Sequence, residues 1–197
     1  AAGVKDYKAF ALDILSTISD KSISFEVFSD DFDEMEKQAL DIASWGENIY
    51  VKIPISNTKG HSSIELINSL SDKGVKINVT AMMTLNQVES VLPALKNGPG
   101  GYVSVFAGRI ADAGVDPLPV MSATVTMLKD FPNIELIWAS PRELFNVVQA
   151  DSIGCHIITA TNNILNKLPL LGKSLDDFSL ETVKMFYDDA LEAGYTL

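Results

Sequence analysis

The 197 residues are 47% hydrophobic, enough to bury a full core, and the length favours one domain over 1–197 rather than two. The formal net charge of −11 argues against a nucleic-acid partner, which needs clustered Lys and Arg, and it confines any phosphate site to a local pocket of basic groups. Arg109 and Arg142 are the only arginines available for such a pocket. No apolar run approaches the ~20 residues of a membrane span. No charged, apolar, small-residue leader opens the sequence, and Cys155 alone cannot form an internal disulfide. The expectation is a cytoplasmic protein with no membrane partner.

In chain order, Tyr7, Phe10, Ala11, Ile14, Leu15 and Ile18 recur at helical spacing and predict an amphipathic helix from Val4 to about Ser19. Ile23 to Phe28 alternates as a strand, with Ser24, Glu26 and Phe28 on one face. Ser29, Asp30 and Asp31 then cap a helix through Met35, Ala39, Leu40 and Ala43, closed by Gly46. In Ile49 to Pro54, alternation separates Ile49, Val51 and Ile53 from Tyr50, Lys52 and Pro54. If that strand is covered on both sides, Lys52 is buried. Such a lysine is either paired with a carboxylate or pushed toward neutrality, where its amine is a nucleophile.

Later elements are predicted as a helix from Gly60 to Ser71, a strand from Val75 to Thr80 and a helix from Thr84 to Lys96. A Gly-Pro-Gly-Gly turn leads to a strand from Tyr102 to Phe106, then a loop holding Gly108, Gly114, Pro117 and Pro119. A helix from Met121 to Lys129, a strand from Ile134 to Trp138, a helix from Arg142 to Gln149 and a strand from Cys155 to Thr159 follow. An amphipathic helix from Leu180 to Glu192 comes last. This repetition indicates parallel β/α units. No glycine-rich phosphate fingerprint follows the early strands, which disfavours Rossmann and P-loop modules. The alternative is a TIM (β/α)8 barrel. Six strands do not close one, so about two β/α units are expected to be missing from the beginning of this chain.

Barrel chemistry sits at the C-terminal ends of strands, on side chains pointing inward. Parity with Lys52 collects Glu26, Asn78 and Thr80, then Ser104 and Phe106 beside Tyr102, while Ser140 follows the strand ending at Trp138. Arg109 and Arg142 also fall just beyond strand ends. The histidines carry less. His61 is expected to be exposed and His156 to be a structural residue of an apolar strand. Neither has metal-ligand spacing, so no metal is expected. There is no serine nucleophile elbow, and Met82, Met83 and Met121 to Met127 read as core packing.

Tyr50-Val51-Lys52-Ile53-Pro54 followed by Asn57-Thr58-Lys59-Gly60 resembles the Schiff-base lysine strand of transaldolases and fructose-6-phosphate aldolases. Ser24-Phe25-Glu26-Val27 resembles the strand bearing the acid/base Glu of transaldolases, where the fructose-6-phosphate aldolases have Gln. Ile77-Asn78-Val79-Thr80 is similar to the family's Asn-x-Thr strand. Ser104 to Ile110 is similar to its Ser-Pro-Phe-x-Gly-Arg-Ile segment, and Ser140-Pro141-Arg142 to its Ser-x-Arg phosphate turn. Val105 departs from the usual Pro and Lys59 from the usual Glu. The family's opening strand with its Asp, and its Thr-Asn-Pro-Ser segment, have no counterpart, so the chain is expected to begin just after them.

The resemblance implies a lysine Schiff base on a ketose phosphate, with no cofactor. Glu26 would move protons through a water oriented by Thr80, and Asn78 would bind the dihydroxyacetone fragment. Ser104 and Phe106 would shape the sugar channel, and Arg109, Arg142 and Ser140 would hold the phosphate. It implies transaldolase activity between ketose and aldose phosphates, in a homo-oligomer whose last helix is a candidate subunit contact. Fructose-6-phosphate aldolase activity is the alternative, and a noncatalytic barrel-derived binding or assembly protein is the alternative of another class.

Overall fold

The computed structural model describes residues 3–195. The chain groups into two compact units, Ala1–Ala160 and Thr161–Leu197. In the first, strands β1 (Ile23–Glu26), β2 (Ile49–Pro54), β3 (Ile77–Met82), β4 (Gly101–Val105), β5 (Ile134–Trp138) and β6 (Ile157–Ile158) form one parallel sheet in sequential order. Helices α1 (Tyr7–Thr17), α2 (Phe32–Ala43), α3 (Ile64–Asp72), α4 (Leu85–Leu95), α5 (Ala107–Asp112), α6 (Leu118–Leu128) and α7 (Phe145–Ser152) precede and connect the strands. Sequential order without a reversal is the β/α-barrel arrangement; a doubly wound sheet reverses at its switch point.

Two-residue periodicity divides the sheet into two chemically different faces. Val51, Ile53, Ile77, Val79, Val103, Val105, Leu136 and Trp138 are wholly buried in the main core on the helix side. The opposite face carries Ser24, Lys52, Asn78 and Ser104. The sheet curls around that second face. Tyr102 Oη donates to Ser22 Oγ at 3.0 Å, and Asn78 Nδ2 to Ser24 Oγ at 2.9 Å, linking β4 and β3 back to β1 and the residue before it. In a flat sheet β1 and β4 would lie roughly 14 Å apart, three strand spacings, beyond such a contact.

Local chemistry sets the helix starts. Asp31 Oδ1 accepts from Glu34 N at 3.1 Å, with Asp33 and Glu34 in the first turn of α2. Thr84 and Gln87 form a reciprocal capping box on α4. Several bounds move from expectation. The first strand stops at Glu26, and Phe28, expected on the same face, is 69% exposed with its ring edge against Tyr7. The third helix begins at Ile64 because Asn57 Oδ1 accepts from Lys59 N and His61 N, folding residues 57–61 into a tight turn. The loop expected after β4 contains α5, and α7 starts three residues late because Asn146 Oδ1 accepts from Arg142 N and Glu143 N. Met82 and Met121 are core residues as expected, whereas Met83 is exposed. His156 is exposed, and its Nδ1 accepts from Leu136 N at 3.1 Å, a structural use.

In the second unit, α8 (Asn162–Leu165) and a 3-10 turn (Leu168–Leu170) precede α9 (Leu175–Glu192). Ser174 Oγ caps α9 by accepting from Asp177 N. This helix buries no residue and exposes Leu175, Phe178, Val183, Phe186 and Tyr187. None of the described helices is long and apolar enough to cross a membrane.

Ile53, wholly buried beside Lys52, tests the core side of the sheet. Ile53→Ala is expected to lower stability by about 2–5 kcal/mol, read as a lower urea midpoint with an unchanged slope.

Candidate active site

Register delivers the site. Glu26 pairs with Lys52 across β1 and β2, Lys52 with Asn78 across β2 and β3, and Asn78 with Tyr102 across β3 and β4. Side chains from four strands therefore reach one level of the inner face. A cavity of about 430 Å³ opens there, lined among others by Ser24 of β1, Lys52, Asn78, Thr80, Ser104, Phe106 and Ser140; Glu26 adjoins it through its contact with Lys52 and is not part of the lining.

Lys52 Nζ lies 3.2 Å from Glu26 Oε2. The expected complete burial of Lys52 does not hold: its side chain is 29% exposed and that of Glu26 45%. Helices cover only one face of β2, and the other opens on the cavity, so water reaches the ammonium while the carboxylate neutralises it.

Beyond this pair the wall is drier. Asn78, Thr80 and Ser104 are each at most 4% exposed. Ser104 Oγ donates to Asn78 Oδ1 at 2.7 Å, and the Asn78 amide donates in turn to Ser24 Oγ. Both ends of the Asn78 amide are thus held, which sets its orientation. Thr80 Oγ1 is buried without a hydrogen-bond partner among the described residues. A buried polar atom left unpaired in a cavity wall marks a place where a ligand hydroxyl would be bound at low cost.

Backbone strain surrounds the same cavity. Ala81 has φ +63°, at a register irregularity between Val79 and Met82 directly after Thr80, and Ser140 has φ +58°. Left-handed conformations are costly for residues with a Cβ and persist where the surroundings enforce them. Nothing in the residue types of Ala81 or Ser140 announces this.

Also on the inner face, the Tyr50 and Tyr102 rings stack with centroids 4.0 Å apart. Burial, reinforced by the adjacent Tyr102 hydroxyl, pushes the Tyr50 phenol up to about 12. The pair forms an aromatic floor that parity alone could have located.

The arginines stand apart from the cavity lining. Arg109 is exposed on α5, and Arg142, also exposed, makes a two-armed contact with Asp112, its Nε donating to Oδ1 at 3.0 Å. Arg142 nevertheless reaches Gly108, next to the cavity-lining Ser140, because the turns after β4 and β5 are pressed together. Gly108 N donates to Ala139 O at 3.3 Å. A Cβ on Gly108 would fall 1.5 Å from the Ser140 carbonyl oxygen. Asp112 was not anticipated as a site residue. Its signal was the spacing of three from Arg109, visible once residues 107–112 are known to be helical.

Comparison with known proteins identifies the family and the fold. A family model described as transaldolase/fructose-6-phosphate aldolase matches residues 7–196. A probable transaldolase of Dehalococcoides mccartyi is 33% identical over 167 residues, covering 84% of this chain and 74% of that protein. A probable transaldolase of a Thermoanaerobacter species is 34% identical over 181 residues, 91% of this chain and 78% of that one. Among solved structures, a mandelate oxidase variant with an FMN adduct superposes with TM-score 0.54 at 14% identity, covering 76% of this chain. A GMP reductase of Trypanosoma brucei gives TM-score 0.51 at 16% identity over 72% of this chain. The chain spans 50% and 30% of those two structures, and the likeness concerns the β/α-barrel fold alone.

Two outcomes follow from the packing. Gly108→Ala is expected to cost roughly 1–3 kcal/mol, because the clash is with backbone that cannot rotate away, measured by urea denaturation. Tyr50 ionises later in the folded chain than in the unfolded one. Its contribution to stability is therefore complete below pH about 10 and is lost as pH rises toward about 12. Unfolding free energies measured across that window should decline less in Tyr50→Phe than in the parent.

Proposed function

The chain belongs to the transaldolase/fructose-6-phosphate aldolase family, and from that premise we propose that it is a transaldolase acting through a Schiff base on Lys52. The observation that carries this reading is the placing of the Lys52 amine 3.2 Å from a carboxylate, on the rim of a cavity walled by an amide and hydroxyls. A dihydroxyacetone unit needs those groups: hydroxyl and carbonyl oxygens to be hydrogen-bonded, and an amine to attack.

In the proposed sequence, the free amine of Lys52 adds to the ketose carbonyl and gives a carbinolamine. Expulsion of its hydroxyl as water forms the iminium. The adjacent carbon–carbon bond then breaks, its electron pair moves into the iminium to give an enamine, and the departing sugar's hydroxyl proton passes to a base. The enamine attacks an aldose phosphate, and water releases the new ketose from Lys52. Glu26, the carboxylate in contact with Nζ among the described residues, is assigned the proton transfers. Thr80, with its unpaired hydroxyl, would orient the water or hydroxyl involved. Asn78 and Ser104, already aligned by their mutual bond, would bind the three-carbon fragment.

Phe106 would limit the channel, and Ser140, Arg142 and Arg109 would receive the terminal phosphate at the mouth. This overcomes the net charge of −11 by a local cationic site. Transfer to an acceptor, rather than release of free dihydroxyacetone, is favoured by the carboxylate at position 26 and by the names of the relatives above. A homo-oligomer belongs to the same reading, with the exposed apolar side of α9 as the surface offered.

Borohydride reduction in the presence of fructose 6-phosphate should fix a sugar adduct on the parent protein and none on Lys52→Arg. Trapping of the variant would overturn the mechanism. Fructose 6-phosphate should turn over only when erythrose 4-phosphate is supplied. Dihydroxyacetone release without an acceptor would assign the aldolase activity instead.

A further inference from the structure

We infer that Asp112 is a positioning residue for phosphate capture, holding the Arg142 guanidinium at the cavity mouth by gripping one of its edges. The inference rests on the reading of Arg142 as a phosphate ligand. Three features of the structure lead to it. First, the turns after β4 and β5 are joined: Ala139 N donates to Val105 O at 2.9 Å and Gly108 N to Ala139 O at 3.3 Å. Second, the missing Cβ of Gly108 lets the Ser140 carbonyl and the Arg142 side chain approach α5 closely, the Arg142 Nε lying only 3.2 Å from where that atom would stand. Third, one helical turn beyond Gly108, Asp112 meets Arg142 with both carboxylate oxygens, through Nε and Nη2.

The grip occupies the Nε/Nη2 edge of a planar fork and leaves Nη1 and the second Nη2 hydrogen for an anion. It is anchored beside Phe106 and Ser140, both of which line the cavity. Arg109 lies three residues before Asp112 on α5, hence on the same side of that helix. The Asp112 carboxyl is held below the ordinary carboxylate range, first by its hydrogen bonds from Arg142 and further by the charges of Arg142 and Arg109, so it stays ionised under working conditions. Asp112 therefore relates the two arginines to one another: it extends from the helix that carries one and holds the other.

A competing role is that Asp112 merely opposes phosphate as a rival anion. Both side chains are about half exposed, which weakens that repulsion by solvent and salt screening. An unheld arginine, by contrast, distributes over many rotamers, and affinity falls in proportion to the competent fraction.

The test is calorimetric titration of inorganic phosphate into the full-length parent, Asp112→Asn, Asp112→Ala and Arg142→Ala proteins. Arg142→Ala should lose phosphate binding. Asp112→Ala should weaken it about tenfold and Asp112→Asn less, because one acceptor oxygen remains. In turnover, Asp112→Ala should raise KM for the ketose phosphate by a similar factor with little change in kcat. KM for glyceraldehyde, an acceptor without phosphate, should not move. Phosphate binding by Asp112→Ala as tight as the parent's, or tighter, would overturn the inference while leaving the phosphate site in place. Undiminished binding by Arg142→Ala would overturn the phosphate reading itself, and the inference with it.

Discussion

Alternation along a parallel strand governs this molecule more than any single contact. Lys52, Asn78 and Ser104, which turn polar groups toward the cavity, each stand between neighbours buried under the helices, so the core that stabilises the sheet also aims the site. Lys52 stands between Val51 and Ile53, both wholly buried, and Asn78 between Ile77 and Val79, likewise buried. Slipping either strand by one residue would put apolar side chains in the cavity and the amine or amide in the core, each at a large cost. The packing energy of the helix side therefore fixes the direction of side chains that take no part in it.

On this frame the site combines two environments. The Lys52–Glu26 pair is partly solvated, which suits the proton exchange proposed for it. Asn78, Thr80 and Ser104 are nearly dry, and Asn78 and Ser104 are oriented by their mutual hydrogen bond, as the binding role proposed for them requires. The positive φ values fall at Ala81, directly after the cavity-lining Thr80 near the end of β3, and at the cavity-lining Ser140 in the turn after β5. Such strain is supportable because the sheet on one side and the helices on the other over-determine the path.

The fold class and the inward set were legible because they follow from a period of two and a repeating β/α rhythm, both local properties. Glu26, Asn78, Thr80 and Ser104 were collected by parity with Lys52; the register puts Glu26, Lys52 and Asn78 on one level, with Thr80 and Ser104 two residues further along β3 and β4 on the same face. Phe28 was misplaced by the same rule because its strand ends two residues earlier, where Tyr7 gives the ring a packing partner. The extent of Lys52 burial was overestimated because alternation tells which face a side chain takes, not how closely that face is covered. Arg109 and Arg142 were singled out by their scarcity, yet the attachment of Arg142 to Asp112 was hidden by reading α5 as loop.

Residue order alone determined the parallel β/α architecture, the faces of the strands and the membership of the polar set, because these depend on spacing within a few residues. Tertiary structure alone decided which groups touch. The Lys52–Glu26 contact, the Ser24–Asn78–Ser104 chain, the stacked tyrosines and the Arg142–Asp112 grip join residues about 26 to 54 positions apart. Their meeting depends on the curl of the sheet and on the close approach at Gly108, which no local pattern encodes.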